Sequence, residues 1–248
     1  MELEKTPVQA LVVFSMPLKN ISATTYKLDN PAWYSLTETH KIFAMGNDEI
    51  KRYEKTIAPF VACHPDKKDI LRHLDSWISP HESFFMIGDL PELPSNYIRE
   101  SKLPCIQMIC TKEINITPTA VIQELGKPDD EDMLSLINLV QPGYYNPGTR
   151  LMGDYYGIRY NGQLVSLTGE RMRMNGFTEI SAVVTHPGFT GRQYAQQLIA
   201  HVANKNRIAG ITPFLHVAET NERAIKLYQH LGFVQRRMIT FRKMKRIS

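Results

Sequence analysis

Ile180-Ser-Ala-Val-Val-Thr-His-Pro-Gly-Phe-Thr-Gly-Arg-Gln-Tyr-Ala-Gln-Gln-Leu198 is the stretch whose reading decides the fold. A β-rich run enters a turn at Pro187, Gly188 and Gly191. A helix then begins, with Ala195, Leu198, Ile199 and Val202 on one face by helical spacing. The N-terminus of a helix leaves backbone N–H groups unpaired and carries partial positive charge. A strand–loop–helix junction of this kind can cradle a pyrophosphate. An ordinary strand-to-helix turn explains the stretch equally well, because glycine-bearing turns are common.

Downstream, Leu215-His-Val-Ala-Glu-Thr-Asn-Glu-Arg-Ala-Ile-Lys-Leu-Tyr-Gln-His-Leu-Gly-Phe233 reads as a strand, a capped helix and a glycine stop. Thr220 or Asn221 can cap the helix. Ala224, Ile225, Tyr228 and Leu231 share one face. Gly232 suits the left-handed position that ends a helix. Val234–Met244 reads as a last strand. Upstream, the pattern predicts a strand at Ala120–Leu125 and a helix from Pro128 to Val140 with acids in its first turn. Strands follow at Asp154–Tyr160 and Gln163–Met172, joined by the hairpin signal Asn161-Gly162. Phe177–Thr185, Arg192–Ala209 and Ile211–Val217 continue as strand, helix and strand. This is a mainly antiparallel sheet with helices inserted, of the α+β or mixed α/β class.

The character of the chain changes near residue 118. Earlier apolar runs are irregular and prolines are scattered. Helices are expected around Asp48–Lys55 and Lys67–Trp77, and strands at Ser83–Gly88 and Cys105–Thr111. We therefore expect two parts: an N-terminal α+β domain over 1–118 and a second domain over 119–248.

The two quoted stretches together resemble the Gcn5-related N-acetyltransferase (GNAT) superfamily, and within it the FR47-like group. Thr190-Gly-Arg-Gln-Tyr-Ala195 stands where the superfamily has Arg/Gln-x-x-Gly-x-Gly/Ala. Asn-x-x-Ala-x-x-x-Tyr-x-x-Leu-Gly-Phe is matched in full from Asn221 to Phe233. Gly169-Glu-Arg-Met-Arg and Thr178-Glu-Ile-Ser-Ala-Val-Val-Thr-His-Pro187 also look FR47-like. The resemblance spans about Ala120 to Met244.

It implies an acyl-CoA-dependent N-acetyltransferase in which an amine attacks acetyl-CoA directly, with no metal. It implies cofactor contacts from Val183, Val184 and Thr185 on a strand, and from Thr190, Gly191, Arg192, Gln193, Tyr194 and Ala195 at the pyrophosphate. Asn221 would hold the cofactor arm. Tyr228 resembles the general acid, Glu179 stands at the spacing of the general base, and Glu170 is the alternative base. Two departures, Thr190 for Arg/Gln and Gln193 for the first glycine, imply a reshaped loop, with Gly188 and Gly191 nearby. The resemblance also suggests that the N-terminal half is a degenerate second copy of the same fold, which carries neither signature and binds no coenzyme A of its own; an unrelated helical cap is the alternative. The competing reading is a catalytically impaired acyl-CoA-binding regulatory module.

Composition narrows the classes further. The chain has 248 residues, 43% hydrophobic and 22% charged, as in ordinary globular proteins. A net charge of +4 is mild, and no aromatic–basic platform points to nucleic acid. Three cysteines make no disulfide framework, and no zinc spacing occurs. His186, His216 and Cys110 are assigned no role. No apolar stretch is long enough for a bilayer, so we expect a cytoplasmic protein. The expected acceptor is a small-molecule or peptide amine, and the expected state is a monomer or homodimer.

Overall fold

The computed structural model describes residues 25–66, 71–90 and 94–248. Strands β1 (Ala44–Gly46), β2 (Ile50–Tyr53) and β3 (Val61–Cys63) form a small antiparallel sheet. The main sheet holds β4 (Ser83–Ile87), β5 (Tyr97–Ile109), β6 (Gln123–Leu125), β7 (Tyr155–Tyr160), β8 (Gln163–Met174), β9 (Phe177–Thr185), β10 (Thr212–Ala218) and β11 (Val234–Arg246). Their order is β4-β11-β5-β10-β9-β8-β7-β6. The four α-helices among the described residues are α1 (Pro31–Thr37), α2 (Asp130–Val140), α3 (Tyr194–Ile208) and α4 (Glu222–His230).

Alternation along the strands sends neighbouring side chains to opposite faces. Tyr156, Val165, Ile180 and Leu215 pack on one face with Leu198, Ile199 and Val202 of α3 and Tyr228 of α4. Tyr155, Leu164, Leu167 and Val184 pack on the other face with Met133, Leu136 and Ile137 of α2. On that second face, Trp33 and Leu36 of α1 join Phe60, Met174, Phe214 and Phe241. Full burial of an apolar side chain of this size is worth about 1.5–3 kcal/mol, so these layers hold the sheet between helices.

Residues on both sides of the expected 118/119 boundary share one sheet. β5 lies between β10 and β11, antiparallel to both. Pro104 has no N–H to give, and the β10–β5 ladder ends beside it, where Glu219 N–H donates to the Pro104 carbonyl at 3.0 Å. The N-terminal half thus supplies a small sheet of its own and two strands of the shared one.

Two local expectations are corrected. Asp48–Lys55 is not a helix. The Asn47 side chain accepts from the N–H groups of Glu49 and Ile50, both at 2.9 Å, and this turn launches the strand Ile50–Tyr53. In the expected helix Lys67–Trp77, residues 71–76 form a 3₁₀ helix, and residues 67–70 lie outside the described ones. The Asn161-Gly162 hairpin forms as expected, with φ of 47° and 83° and Tyr160 paired to Gln163.

Candidate active site

β9 and β10 run parallel for only three residue pairs, Phe177–Thr212, Thr178–Pro213 and Glu179–Phe214. Beyond them β10 continues along β5 while β9 continues along β8. The inner edge of Ile180–Thr185 is therefore free of a strand partner. A cleft of about 1060 Å³ opens in the gap. A bulge sharpens the parting. Ala182 has φ of 52°, and the β8–β9 register shifts between Leu167–Val184 and Gly169–Ser181. Side chains hold the bulge, with Ser166 Oγ donating to the Val184 carbonyl at 2.9 Å and Thr168 Oγ1 to the Ser181 carbonyl at 3.1 Å. Ala182, Val183 and Thr185 line the cleft, whereas the Val184 side chain is buried on the α2 face and offers only backbone.

At the mouth stands the loop that leads into α3. Gly191 has φ of 79°, and no heavy atom lies within 4 Å of where its Cβ would be. Gln193, the N-cap, also takes the left-handed conformation, φ 60°, with no side-chain cap bond. Glutamine thus adopts the backbone that the missing glycine would favour. Thr190, Gly191, Arg192, Gln193, Tyr194 and Ala195 all line the cleft. The Arg192 guanidinium sits 4.9 Å from the Phe189 ring centre and 5.5 Å from that of Tyr160, so stacking holds it beside the loop.

Across the gap, α4 presents Asn221 and Tyr228 to the same cleft. Asn221 Oδ1 caps the helix by accepting from Ala224 N–H at 3.1 Å, which leaves its amide N–H groups for another partner. The Tyr228 ring packs edge-on to Phe233 at 5.9 Å. Burial pushes its phenol up to about 12, so it holds its proton at neutral pH.

The floor is built from side chains distant in sequence. Glu179 is buried and takes a two-pronged contact from Arg171, Nε to Oε2 at 2.8 Å and Nη2 to Oε1 at 2.6 Å. His216 Nδ1 lies 2.7 Å from Glu179 Oε1, and its Nε2 lies 2.9 Å from Gln107 Nε2. The Gln107 amide nitrogen also donates to the Leu28 carbonyl, and Arg236 donates to the Gln107 Oε1. These donors place the imidazole proton on Nδ1, facing Glu179. Burial tends to raise the Glu179 carboxyl, but the Arg171 charge and the bonds from Arg171 and His216 outweigh it and hold it at about 2. A carboxylate held there is a weak base.

Glu170 points the other way, to the α3 face. It binds Arg173 and accepts from Asn206 Nδ2 at 2.6 Å, and it does not line the cleft. The structure therefore brings Tyr228, Glu179, Asn221 and the loop residues to one cleft and leaves Glu170 outside it.

Sequence reasoning missed Arg171, His216, Tyr145 and Tyr155, which also line the cleft. One signal was present: Arg171 and Arg173 alternate with Met172 and Met174 in a central strand, where a buried charge needs a partner. Gly169 was a second. A Cβ there would lie 2.3 Å from the Tyr155 ring, so glycine is what lets that ring seat on β8. Among the described residues no cluster of His, Cys, Asp and Glu could hold a metal ion, and no helix is long and apolar enough to cross a membrane.

Residues 155–242 match the FR47-like protein family. The whole described architecture is similar to a GNAT-family protein from Novosphingobium aromaticivorans, with TM-score 0.82 and 29% identity over 89% of this chain and 99% of that one. A GCN5-related N-acetyltransferase from Kribbella flavida shares the fold, with TM-score 0.59 and 12% identity over 88% of this chain and 94% of that one. So does a GCN5-related N-acetyltransferase-like protein from Streptococcus suis, with TM-score 0.53 and 14% identity over 92% and 100%. No curated protein sequence matches. The comparisons agree in direction: residues 155–242 are similar to the FR47-like family, and the fold as a whole is similar to that of GCN5-related N-acetyltransferases.

Proposed function

We propose that the protein is an N-acetyltransferase that moves an acetyl or short acyl group from coenzyme A to a primary amine by direct attack. The observation that carries this reading is the parting of β9 from β10 directly below the N-terminus of α3. The free edge of Ile180–Thr185 offers backbone groups to an extended pantetheine arm. The N–H groups that open α3 and the space over Gly191 suit a pyrophosphate. Arg192, Arg223 and Lys226 line the same cleft and suit its charge.

When bound, acetyl-CoA supplies the electrophilic thioester carbon. The Tyr228 phenol retains its proton and reaches the cleft from α4, as a donor to a departing thiolate must. Glu179 acts as a positioning residue that fixes Arg171, because its paired state leaves it little basicity. With no free carboxylate base in the cleft, the attacking amine must enter in its neutral form or lose its proton to solvent.

The pairing of Glu179 favours a second reading, a module that binds acyl-CoA without turnover. Calorimetric titration with acetyl-CoA, together with release of coenzyme A thiol on a panel of amines, separates the two. The expected result is one acetyl-CoA bound per chain and turnover on at least one amine. Absence of binding at millimolar concentration overturns both readings, and binding without turnover supports the module. Two sites per chain would show that the N-terminal half binds its own cofactor.

A further inference from the structure

Two phenols in the cleft have no polar partner outside their own pair. Tyr155, at the start of β7, and Tyr145, in the segment after α2, are 1% and 9% exposed. Their hydroxyl oxygens are buried and, apart from a polar contact with each other, find no hydrogen-bond partner. Their rings meet edge to face at 5.9 Å, and both line the cleft on the face that carries Glu179 and Arg171. A buried hydroxyl left unbonded costs about 1–3 kcal/mol, and native proteins leave few of them. Two together in a binding cleft point to a ligand.

Arg171 adds a third donor. Glu179 takes its Nε and Nη2 and leaves Nη1 unengaged. The guanidinium is held between the rings of Phe60 at 5.1 Å and Phe241 at 5.7 Å. Its charge acts on Tyr155. Burial raises both phenols, so each keeps its proton and seeks an acceptor oxygen.

The charge of the lining selects among acceptor oxygens. Glu179 is the one carboxylate among the lining residues, and it is paired, whereas Arg171, Arg192, Arg223 and Lys226 bring positive charge. A polycationic amine finds no counter-charge there. A carboxylate, which accepts only, matches two O–H donors and a guanidinium edge.

We propose that Tyr145, Tyr155 and Arg171 form an acceptor subsite for a carboxylate, so that the amine acetylated is a free amino acid or a closely similar amino carboxylate. This rests on the N-acetyltransferase reading above.

The test uses the full chain with acetyl-CoA and follows thiol release with the common amino acids, their carboxamides and spermidine. We expect at least one amino acid to react with kcat/KM at least about 100-fold above its own carboxamide and above spermidine, because a site built for a polar group discriminates strongly when that group is changed. Tyr155→Phe and Tyr145→Phe should each raise KM for that amino acid about 10- to 100-fold, far more than they change kcat, and narrow the acid-to-carboxamide ratio at least about tenfold. Their melting temperatures should change little, because the hydroxyl removed has no partner outside the tyrosine pair, and acetyl-CoA affinity should stay parental.

Equal rates on acid and carboxamide, a preference for spermidine, unchanged KM in both variants, or acetyl-CoA bound with no amino acid acetylated would each overturn the proposal. Failure to bind acetyl-CoA would instead sink the transferase reading. The subsite is then judged by calorimetry with the amino acids alone, where binding weakened at least tenfold in Tyr155→Phe supports it and absent or equal binding refutes it.

Discussion

The mouth and the floor of the cleft are made in different ways. At the mouth, six consecutive residues, Thr190 to Ala195, present backbone from an exposed loop, and the conformation rests on Gly191 and Gln193. At the floor, Arg171, Glu179, His216 and Gln107 come from four strands and meet through largely buried side chains. Backbone recognition tolerates substitution of the side chain, which is how Gln193 can stand in a glycine position. Side-chain recognition in a buried site does not, because each missing partner leaves another group unpaired. The mouth should therefore yield small effects and the floor large ones.

Tyr228→Phe tests where the mouth ends and chemistry begins. Loss of the proton donor should lower turnover about 100- to 10,000-fold, with acetyl-CoA affinity near parental. Steady-state kinetics beside a calorimetric titration reads both, and parental turnover would return Tyr228 to a packing role against Phe233.

The floor is next. Arg171→Met leaves Glu179 buried without its charge partner and should destabilise the protein by about 3–5 kcal/mol in denaturant unfolding. Adding Glu179→Gln removes the stranded charge and should restore most of that loss. If the double variant is as unstable as the single one, the pair does not act as a unit.

Packing behind the floor should carry a pH signature. His40 Nδ1 lies 2.9 Å from the Tyr53 hydroxyl and 3.0 Å from Ser35 Oγ, and Ser35 donates to the Arg173 carbonyl at 2.8 Å. Burial, with a smaller push from the Arg173 charge, outweighs a backbone bond to Met152 and lowers the imidazole from 6.5 to about 4. Between those values the unfolded chain holds a proton that the folded chain lacks. Stability should thus fall as pH drops from about 6.5 to about 4, by about 3 kcal/mol, and level off below. His40→Gln should flatten that part of the profile; an unaltered slope would assign it to other groups.

Gln193→Gly is the smallest. It relieves a left-handed side-chain residue but loosens the unfolded chain, so stability should move by less than about 1 kcal/mol. Acetyl-CoA should bind about threefold tighter as the phosphates approach the loop more closely. Weaker binding would mean that the glutamine side chain belongs to the site and that the mouth is not built from backbone alone.

By itself the sequence determined the parts that depend on neighbours along the chain. Ile180–Leu198 specifies a strand, a turn and a helix through β-branched residues, Pro187, Gly191 and helical spacing. Asn221 to Phe233 specifies a capped helix and its glycine stop, and the Asn221 cap and the Gly232 left-handed turn both form. Asn161-Gly162 likewise encodes its own hairpin. These signals are local because caps, turns and amphipathic faces are satisfied within a few residues.

Tertiary structure alone decided the rest. Nothing in Tyr97–Ile109 announces that it will lie between β10 and β11, because sheet order is set by which edges meet after folding. Glu179 could be read as a solvent-facing base until Arg171 and His216 closed on it. Tyr145 and Tyr155 are unremarkable tyrosines in sequence, and only packing against α2 and Gly169 buries their hydroxyls without partners outside their own pair. The physical reason is common to all three. Ion pairing, desolvation and strand order are properties of contacts between distant residues, and their free energy exists only once the chain has brought those residues together.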